Sequence, residues 1–346
     1  MVTLSQASYD TKELLKWGGL FIGGLVVVIV FIQMFLIAKE AIFPTPPPKP
    51  TVTFGKLDPQ LFPVSITDKK IAYKINTISG YLPSFDNQIK VFKIKTFTPD
   101  LLSLDNAKAK AKSAGFINAP TQLSNTNFEW DSTDSMGLNQ KLKMDIVSNN
   151  FTLTSDFVSN QTVLSKNLTN ENDSIKSATD FLTKMNLLST DINTSKTKTS
   201  FLAIQNGAIT PVVSLSGAKA IEVDFFQGDV NNLPTIYEQP NRSSLSITVG
   251  PGGEIAQAQY FHQAPTSESS TYPIKTAAQA YTDLQNGTAY IASHDGSSTS
   301  VSINNAYLAY YMSSQTQNYL MPVIVFEGSD NFTAYVPAVT DGWINR

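Results

Sequence analysis

The chain has 346 residues, 42% hydrophobic and 10% aromatic with 20 Phe and 13 Tyr, so it can build a packed core and leaves the disordered class. Charged residues make up only 15%, the net charge is -3, and arginine occurs only as Arg242 and Arg346, which leaves no basic footprint for nucleic acid. The absence of Cys removes thiol nucleophiles, disulfides and thiolate metal sites, and two His residues, His262 and His294, are too few for a multi-His metal centre, so no cofactor or metal is expected.

Residues 1–16 are expected to be a short cytoplasmic tail. From Trp17 to Ala38 the only strongly polar side chain is Gln33. As helix, residues 17–38 would measure roughly 33 Å, enough to cross a bilayer, which makes membrane lipid the first expected partner. Lys39 and Glu40 stand where a cleavage site needs small residues, and this favours an uncleaved anchor over a signal peptide. Gly19 and Gly23 form a small-xxx-small pair that would let another helix approach. Lys12 and Lys16 before the span are matched by Lys39, Lys49 and Lys56 after it, so charge alone leaves the orientation open. The short tail and the thiol-free body favour a single-pass protein of the cytoplasmic membrane with residues 51–346 outside. Residues 39–50, with prolines from Pro44 to Pro50, read as an extended polyproline stalk.

Three helical patterns follow. Leu104, Ala107, Ala111 and Ala114 share a face, and Gly115-Phe116 supplies a stop. Ile175, Ala178, Phe181, Leu182 and Met185 make the second, closed by Asn186. The third opens at Thr276-x-x-Gln279, a capping box, and ends at Asn286-Gly287. Behind each helix lies strand-like sequence: 141–147 and 151–157 as a hairpin, 220–226, then 245–249 and 255–261 across the turn Gly250-Pro251-Gly252-Gly253-Glu254. Segments 300–311, 321–326 and 332–336 close the chain. The fold class is therefore α+β: an N-terminal transmembrane helix, then repeated units of one helix with an antiparallel sheet, divided as 51–165, 166–265 and 266–346. The run Leu320 to Phe326 is almost uniformly apolar and is expected to be buried on both faces or covered by the 276–285 helix, with Pro322 at the strand's start.

The last unit carries a family resemblance. Tyr272-Pro273-Ile274 leading into the third helix, Tyr307-Leu308-Ala309-Tyr310-Tyr311, Tyr319-Leu320-Met321-Pro322-Val323-Ile324-Val325-Phe326 and Ala334-Tyr335-Val336-Pro337-Ala338 resemble the closing repeat of the PepSY-like group and its YycH/YycI-type regulators. The resemblance covers about 70 residues in motifs that are structural. It implies one membrane helix, extracytoplasmic helix-plus-sheet units, and regulation of a membrane sensor kinase or an exported enzyme.

No catalytic motif stands out. His262 reads as a strand-end residue and His294 as a turn residue. Ser293, His294 and Asp295 are consecutive, so their side chains diverge and make no triad. Glu222 and Asp224 share a strand face, which reads as solvated, with acid-base or cation chemistry as the rival reading. Tyr307, Tyr310, Tyr311 and Tyr319 gather near the C-terminus and are the candidate partner-binding residues, with core packing as the other reading. The expected function is a non-enzymatic module that binds and modulates another envelope protein, a sensor kinase, protease or wall enzyme; the alternative is a structural or assembly protein of the cell surface.

Overall fold

A computed structural model describes residues 4–42, 48–66, 71–134, 137–168, 170–296 and 298–345. The chain divides into two units, Met1–Lys49 and Pro50–Arg346. Among the described residues the first unit holds one helix, α1 (Leu4–Ile42). Within it Lys16–Leu36 has mean hydropathy 2.6 and no buried residue, and is long and apolar enough to cross a membrane, as an anchor or as a signal sequence. The helix runs past the expected end at residue 38, because Lys39 to Ile42 include nothing that breaks it, so the stalk expected over 39–50 begins later. Residues 43–47 of that stalk lie outside the described residues.

The second unit is mixed α+β and mostly sheet. Its first half contains β1 (Ala72–Ile75), β2 (Gln88–Ile94), α2 (Ser103–Ser113), β3 (Thr121–Gln122), β4 (Asn127–Thr133), β5 (Asn139–Asp145), β6 (Phe151–Ser155), α3 (Gln161–Leu164) and α4 (Glu171–Lys184). Next come β7 (Ile192–Gln205), β8 (Ala208–Val212), β9 (Ala220–Gln227), β10 (Thr235–Ile236), β11 (Leu245–Val249), β12 (Ile255–Tyr260) and β13 (Pro265–Pro273). The chain ends with α5 (Ala277–Gln285), β14 (Tyr290–Ser293), β15 (Ser300–Tyr311), β16 (Tyr319–Gly328) and β17 (Phe332–Pro337).

The three expected helices are α2, α4 and α5, and they stop by the same device. Gly115, Asn186 and Gly287 take φ of 98°, 53° and 78°. The next residue's N–H then reaches back to the helix, Phe116 to Ala111 O, Leu187 to Leu182 O and Thr288 to Asp283 O, at 3.0, 2.9 and 3.1 Å. Glycine and asparagine tolerate this left-handed turn, and the bond satisfies a carbonyl that the helix end leaves open. At the other end of α5 the capping box forms, with Thr276 Oγ1 accepting from Gln279 N and Gln279 Oε1 accepting from Thr276 N.

Nine strands form an all-antiparallel sheet in the order β3-β4-β5-β6-β12-β11-β9-β7-β8. The meander after α2 and the one after α4 meet last strand to last strand, Leu153 opposite Ala258 and Phe151 opposite Tyr260. Helices α2 and α4 cover one face, where Ala107, Ala111, Phe181 and Leu182 join Trp130, Leu142, Val223 and Ile247 in one core. That core spans both sides of the expected boundary at 165. The opposite face carries exposed Lys141, Lys143, Thr152 and Gln259, as an antiparallel sheet facing water should. At the edge, Asn206 and Gly207 both have positive φ and close the β7–β8 hairpin, and Pro211 interrupts the outer edge's row of donors.

The second sheet runs β15-β16-β17-β14, and two short strands, β1 and β10, pair in parallel along the outer edge of β15. Strand β2 pairs with β13 and with the first residues of β16. Strands β1 and β2, expected inside a 51–165 unit, therefore belong to the C-terminal sheet. Strand β16 is buried on both faces: Ile324 and Phe326 pack with Ala280 and Leu284 of α5, Val323 and Val325 with Tyr290, Tyr311 and Tyr335. Pro322 lies inside this strand and not at its start. Its carbonyl accepts from Ala338 N, so its nitrogen faces the same side, where the neighbour changes from β2 to β17 and no donor is required. The segment from Thr51 to Ile66 is strapped to this sheet by Val52 N–H to Thr271 O (3.1 Å), Tyr272 Oη–H to Gly55 O (2.8 Å) and Tyr311 Oη–H to Leu61 O (3.1 Å).

The two sheets meet at a polar seam. Gln227 Nε2 donates to Asp191 Oδ2 (2.8 Å) and Gln263 O (3.0 Å), and Tyr237 Oη–H donates to Gln227 Oε1 (3.2 Å). Gln263 Nε2 donates to Ser313 O and Gln315 O. His262 Nε2 sits 2.9 and 3.0 Å from the two oxygens of Asp191. Burial alone would raise the Asp191 carboxyl, but bonds from His262, Ser189 and Gln227 outweigh it and hold it well below the usual carboxylate range.

Two outcomes follow for stability. Replacing fully buried Ile324 by Ala should cost about 2–5 kcal/mol in denaturant unfolding, through lost burial and a residual cavity. The Asp191 carboxyl is depressed in the fold, so its contribution is present above an unfolded value near 3.9 and disappears as pH falls below it. Asp191→Asn should therefore lower the melting temperature at pH 7 and flatten its acid decline below about pH 4; an unchanged acid limb would remove Asp191 from that role.

Candidate functional site

The tyrosines expected at a binding surface have four different surroundings. Tyr310 and Tyr311 are 0% and 1% exposed. Their hydroxyls donate to Lys90 O (2.7 Å) and Leu61 O (3.1 Å). They are packing residues: alternation does send them to opposite faces of β15, but α5 closes one face and the strap with β10 closes the other. Tyr319 is half-buried and stacks on Phe54 with ring centroids 5.1 Å apart. Only Tyr307 of the four lines an open crevice between the two sheets.

That crevice has a volume of about 520 Å³, within the range of small-ligand sites. Its floor comes from two rungs of the C-terminal sheet. Tyr307, Val325 and Tyr335 are in register across β15, β16 and β17, and Asn305, Glu327 and Thr333 form the next rung on the same face. Tyr307 Oη–H donates to Glu327 Oε1 (2.9 Å) and Asn305 Nδ2 to Glu327 Oε2 (3.2 Å). Burial, reinforced by the Glu327 charge, pushes the Tyr307 hydroxyl well above the usual tyrosine range, so it stays a donor. Tyr335 is 2% exposed, and burial raises it further.

The facing wall comes from the nine-stranded sheet. A register shift in β7 between Asn193 and Lys198 pushes Lys196 outward, where its Nζ pairs with Asp229 Oδ1 at 2.5 Å. Lys198 donates to Asn241 Oδ1 and lies 5.7 Å above the Phe226 ring. Tyr237, whose hydroxyl burial pushes up to about 12, joins this wall to the seam. Tyr335, Glu327, Lys196 and Lys198 were not singled out in the sequence, because they converge from three strands that local pattern cannot bring together.

Behind the wall stand the two carboxylates that share a face of β9. They are not solvated: Glu222 is 8% and Asp224 0% exposed. Arg242 covers them, its Nη1 and Nη2 each 2.5 Å from a Glu222 oxygen and its Nε 3.6 Å from Asp224 Oδ2. Asp224 Oδ1 accepts from Ser243 N (3.0 Å), while Oδ2 is buried without a hydrogen bond among the described residues. One guanidinium thus faces two carboxylates, and burial pushes the Asp224 carboxyl up to about 7, opposed by Arg242 and aided by Glu222. The guanidinium occupies the position a cation would need. Among the described residues no group of three or more His, Cys, Asp or Glu is arranged to hold a metal.

A larger crevice of about 770 Å³ opens on the other side of the seam, lined by Phe97, Asn127, Lys143, Gln259, His262 and Asn318 among others. His262 is thus a seam residue paired to Asp191, a partner 71 positions away in the sequence. Ser293 Oγ–H donates to Asn331 O and His294 Nε2 faces Ser298 O, so this serine and histidine bond to different carbonyls and not to each other.

No family model matches the chain, and no curated protein matches it.

The Asp224 carboxyl binds its proton more tightly folded than unfolded, so its ionisation destabilises the fold as pH rises from about 4 to 7. Asp224→Asn keeps the acceptor for Ser243 and removes the charge. It should melt higher than the wild type at pH 8, with the gap closing toward pH 4. A gap that ignores pH, or reverses, would mean that Arg242 compensates both carboxylates fully.

Proposed function

We propose that this protein is a single-pass, membrane-anchored extracytoplasmic module of PepSY-like, YycH/YycI-type plan that binds another envelope protein and modulates it without catalysis of its own. The observation that carries this reading is the joining, in one chain, of an exposed 21-residue apolar helix segment to an α+β body with two open crevices between its sheets. An anchor of this kind holds the body at a membrane surface, where partners are membrane-bound or close by, and the crevices offer concave, mixed polar and aromatic surface for recognition. The common helix stop at Gly115, Asn186 and Gly287, each followed by antiparallel strands, supports a repeated unit. The alternative is a structural or assembly protein of the cell surface, and its mark would be self-association.

Two measurements test the proposal. A reporter active only outside the cytoplasm, fused after Arg346, should work. Affinity capture of the full chain from membranes dissolved in uncharged detergent should bring down one stoichiometric envelope protein. Reporter activity confined to the cytoplasm would reject the topology, and recovery of the chain only as multimers of itself would favour the structural alternative.

A further inference from the structure

The crevice floored by Tyr307 and Tyr335 holds a carboxylate, Glu327, that forms no ion pair among the described residues. Glu327 has both oxygens bonded, but by neutral donors, Tyr307 and Asn305, and no cation among the described residues forms an ion pair with it. Of the two lysines of the crevice, Lys196 is paired with Asp229, while Lys198 is held over the Phe226 ring by the neutral Asn241 and is the cation that competes for the same space. Beside Glu327, Tyr335 is almost wholly buried, yet its hydroxyl neither donates nor accepts a hydrogen bond among the described residues. A half-buried carboxylate fixed by neutral donors and a crevice-lining hydroxyl without a partner among the described residues call for the same complement, a hydrogen-bonding cation. The aromatic side chains of Tyr307, Phe226 and Tyr237 around the same space suit the methylene stem that carries such a cation in lysine and arginine.

We infer that this crevice receives a lysine or arginine side chain presented by the partner protein, with its charged head on Glu327 and the Tyr335 hydroxyl and its stem along the aromatic wall. The inference rests on the binding function proposed above and adds the chemistry of the partner's contact. A volume of about 520 Å³ admits such a side chain together with its flanking backbone. An acidic ligand drawn to Lys198 is the opposite outcome, and it is distinguishable.

The full chain in uncharged detergent is titrated calorimetrically with capped pentapeptides Gly-Gly-X-Gly-Gly, where X is Lys, Arg, Gln or Glu. Lys or Arg should bind about tenfold more tightly than Gln, the size of effect expected of one charge-assisted contact, and added salt should weaken that binding. Glu327→Gln, which keeps an acceptor for Tyr307, should bring Lys and Arg to the Gln level without lowering the melting temperature. Tyr335→Phe should weaken Lys and Arg several-fold, and Lys198→Gln should leave them unchanged or tighten them. Equal binding of Gln, preference for Glu, absence of binding by every peptide, or indifference to Glu327→Gln would each overturn the inference. If Glu327→Gln fails to fold, Tyr335→Phe and the salt dependence still decide. Partner capture that persists undiminished in Glu327→Gln would sink the crevice assignment and spare the binding function, whereas peptide binding with no captured partner would do the reverse.

Discussion

Two buried amides, Gln227 and Gln263, set the geometry on which the rest of the second unit depends. They are 4% and 5% exposed, and each uses both ends of its amide: Gln227 on Asp191, Gln263 O and Tyr237, Gln263 on Ser313 O, Gln315 O and Gln317 N. A buried amide left half-bonded costs about 1–3 kcal/mol. Apolar contact would tolerate sliding, but hydrogen bonds of fixed direction do not, so the end of β9, the exit of β12 and the 313–317 loop have one satisfactory arrangement. The His262–Asp191 pair adds charge to the same joint. The crevices lie between the two sheets on either side of this join.

The seam also explains why the crevice walls differ in chemistry. The floor belongs to a sheet covered on both faces, with α5 below and the strap from Thr51 to Ile66 above, so its uncovered corner at Tyr307, Glu327, Thr333 and Tyr335 reaches the crevice beside Thr235 and Ile236 of β10. The opposite wall comes from β7 at its register shift, where Lys196 and Lys198 line the crevice. An aromatic floor thus faces a polar rim.

How far the sequence reveals this follows from the range of each signal. Helices α2, α4 and α5 were legible because their caps and stops are local, written in Thr276-x-x-Gln279, Gly115 and Asn186. Strand β9, with its alternating sequence from Ala220 to Phe226, was legible for the same reason. Strand β7 was not, since Asn193 to Ser200 is polar throughout and its register shift breaks any period of two. Nor was β13, whose Pro265-Thr266-Ser267-Glu268 start reads as a loop. Alternation correctly put Glu222 and Asp224 on one face and Tyr310 and Tyr311 on two. It failed on exposure, because what covers a strand, Arg242 for the first pair and the strap for Tyr311, comes from elsewhere in the chain.

The carboxylates on the two sides of the crevice show what that long-range cover decides. Asp224 and Glu327 are each within a sheet, and each accepts hydrogen bonds. Asp224 is shut away behind the wall, beneath the only arginine that lies among the described residues; the fork of that arginine is taken up by Glu222, and burial favours the neutral acid. Glu327 is half-open, held by a phenol and an amide that fix its position without cancelling its charge. Neutral donors orient a carboxylate while leaving its field in the adjoining space, whereas a guanidinium would extinguish it. The chain spends its arginine where charge must be suppressed and uses tyrosine and asparagine where charge is left to act, and that difference marks Glu327 as the carboxylate the crevice presents outward.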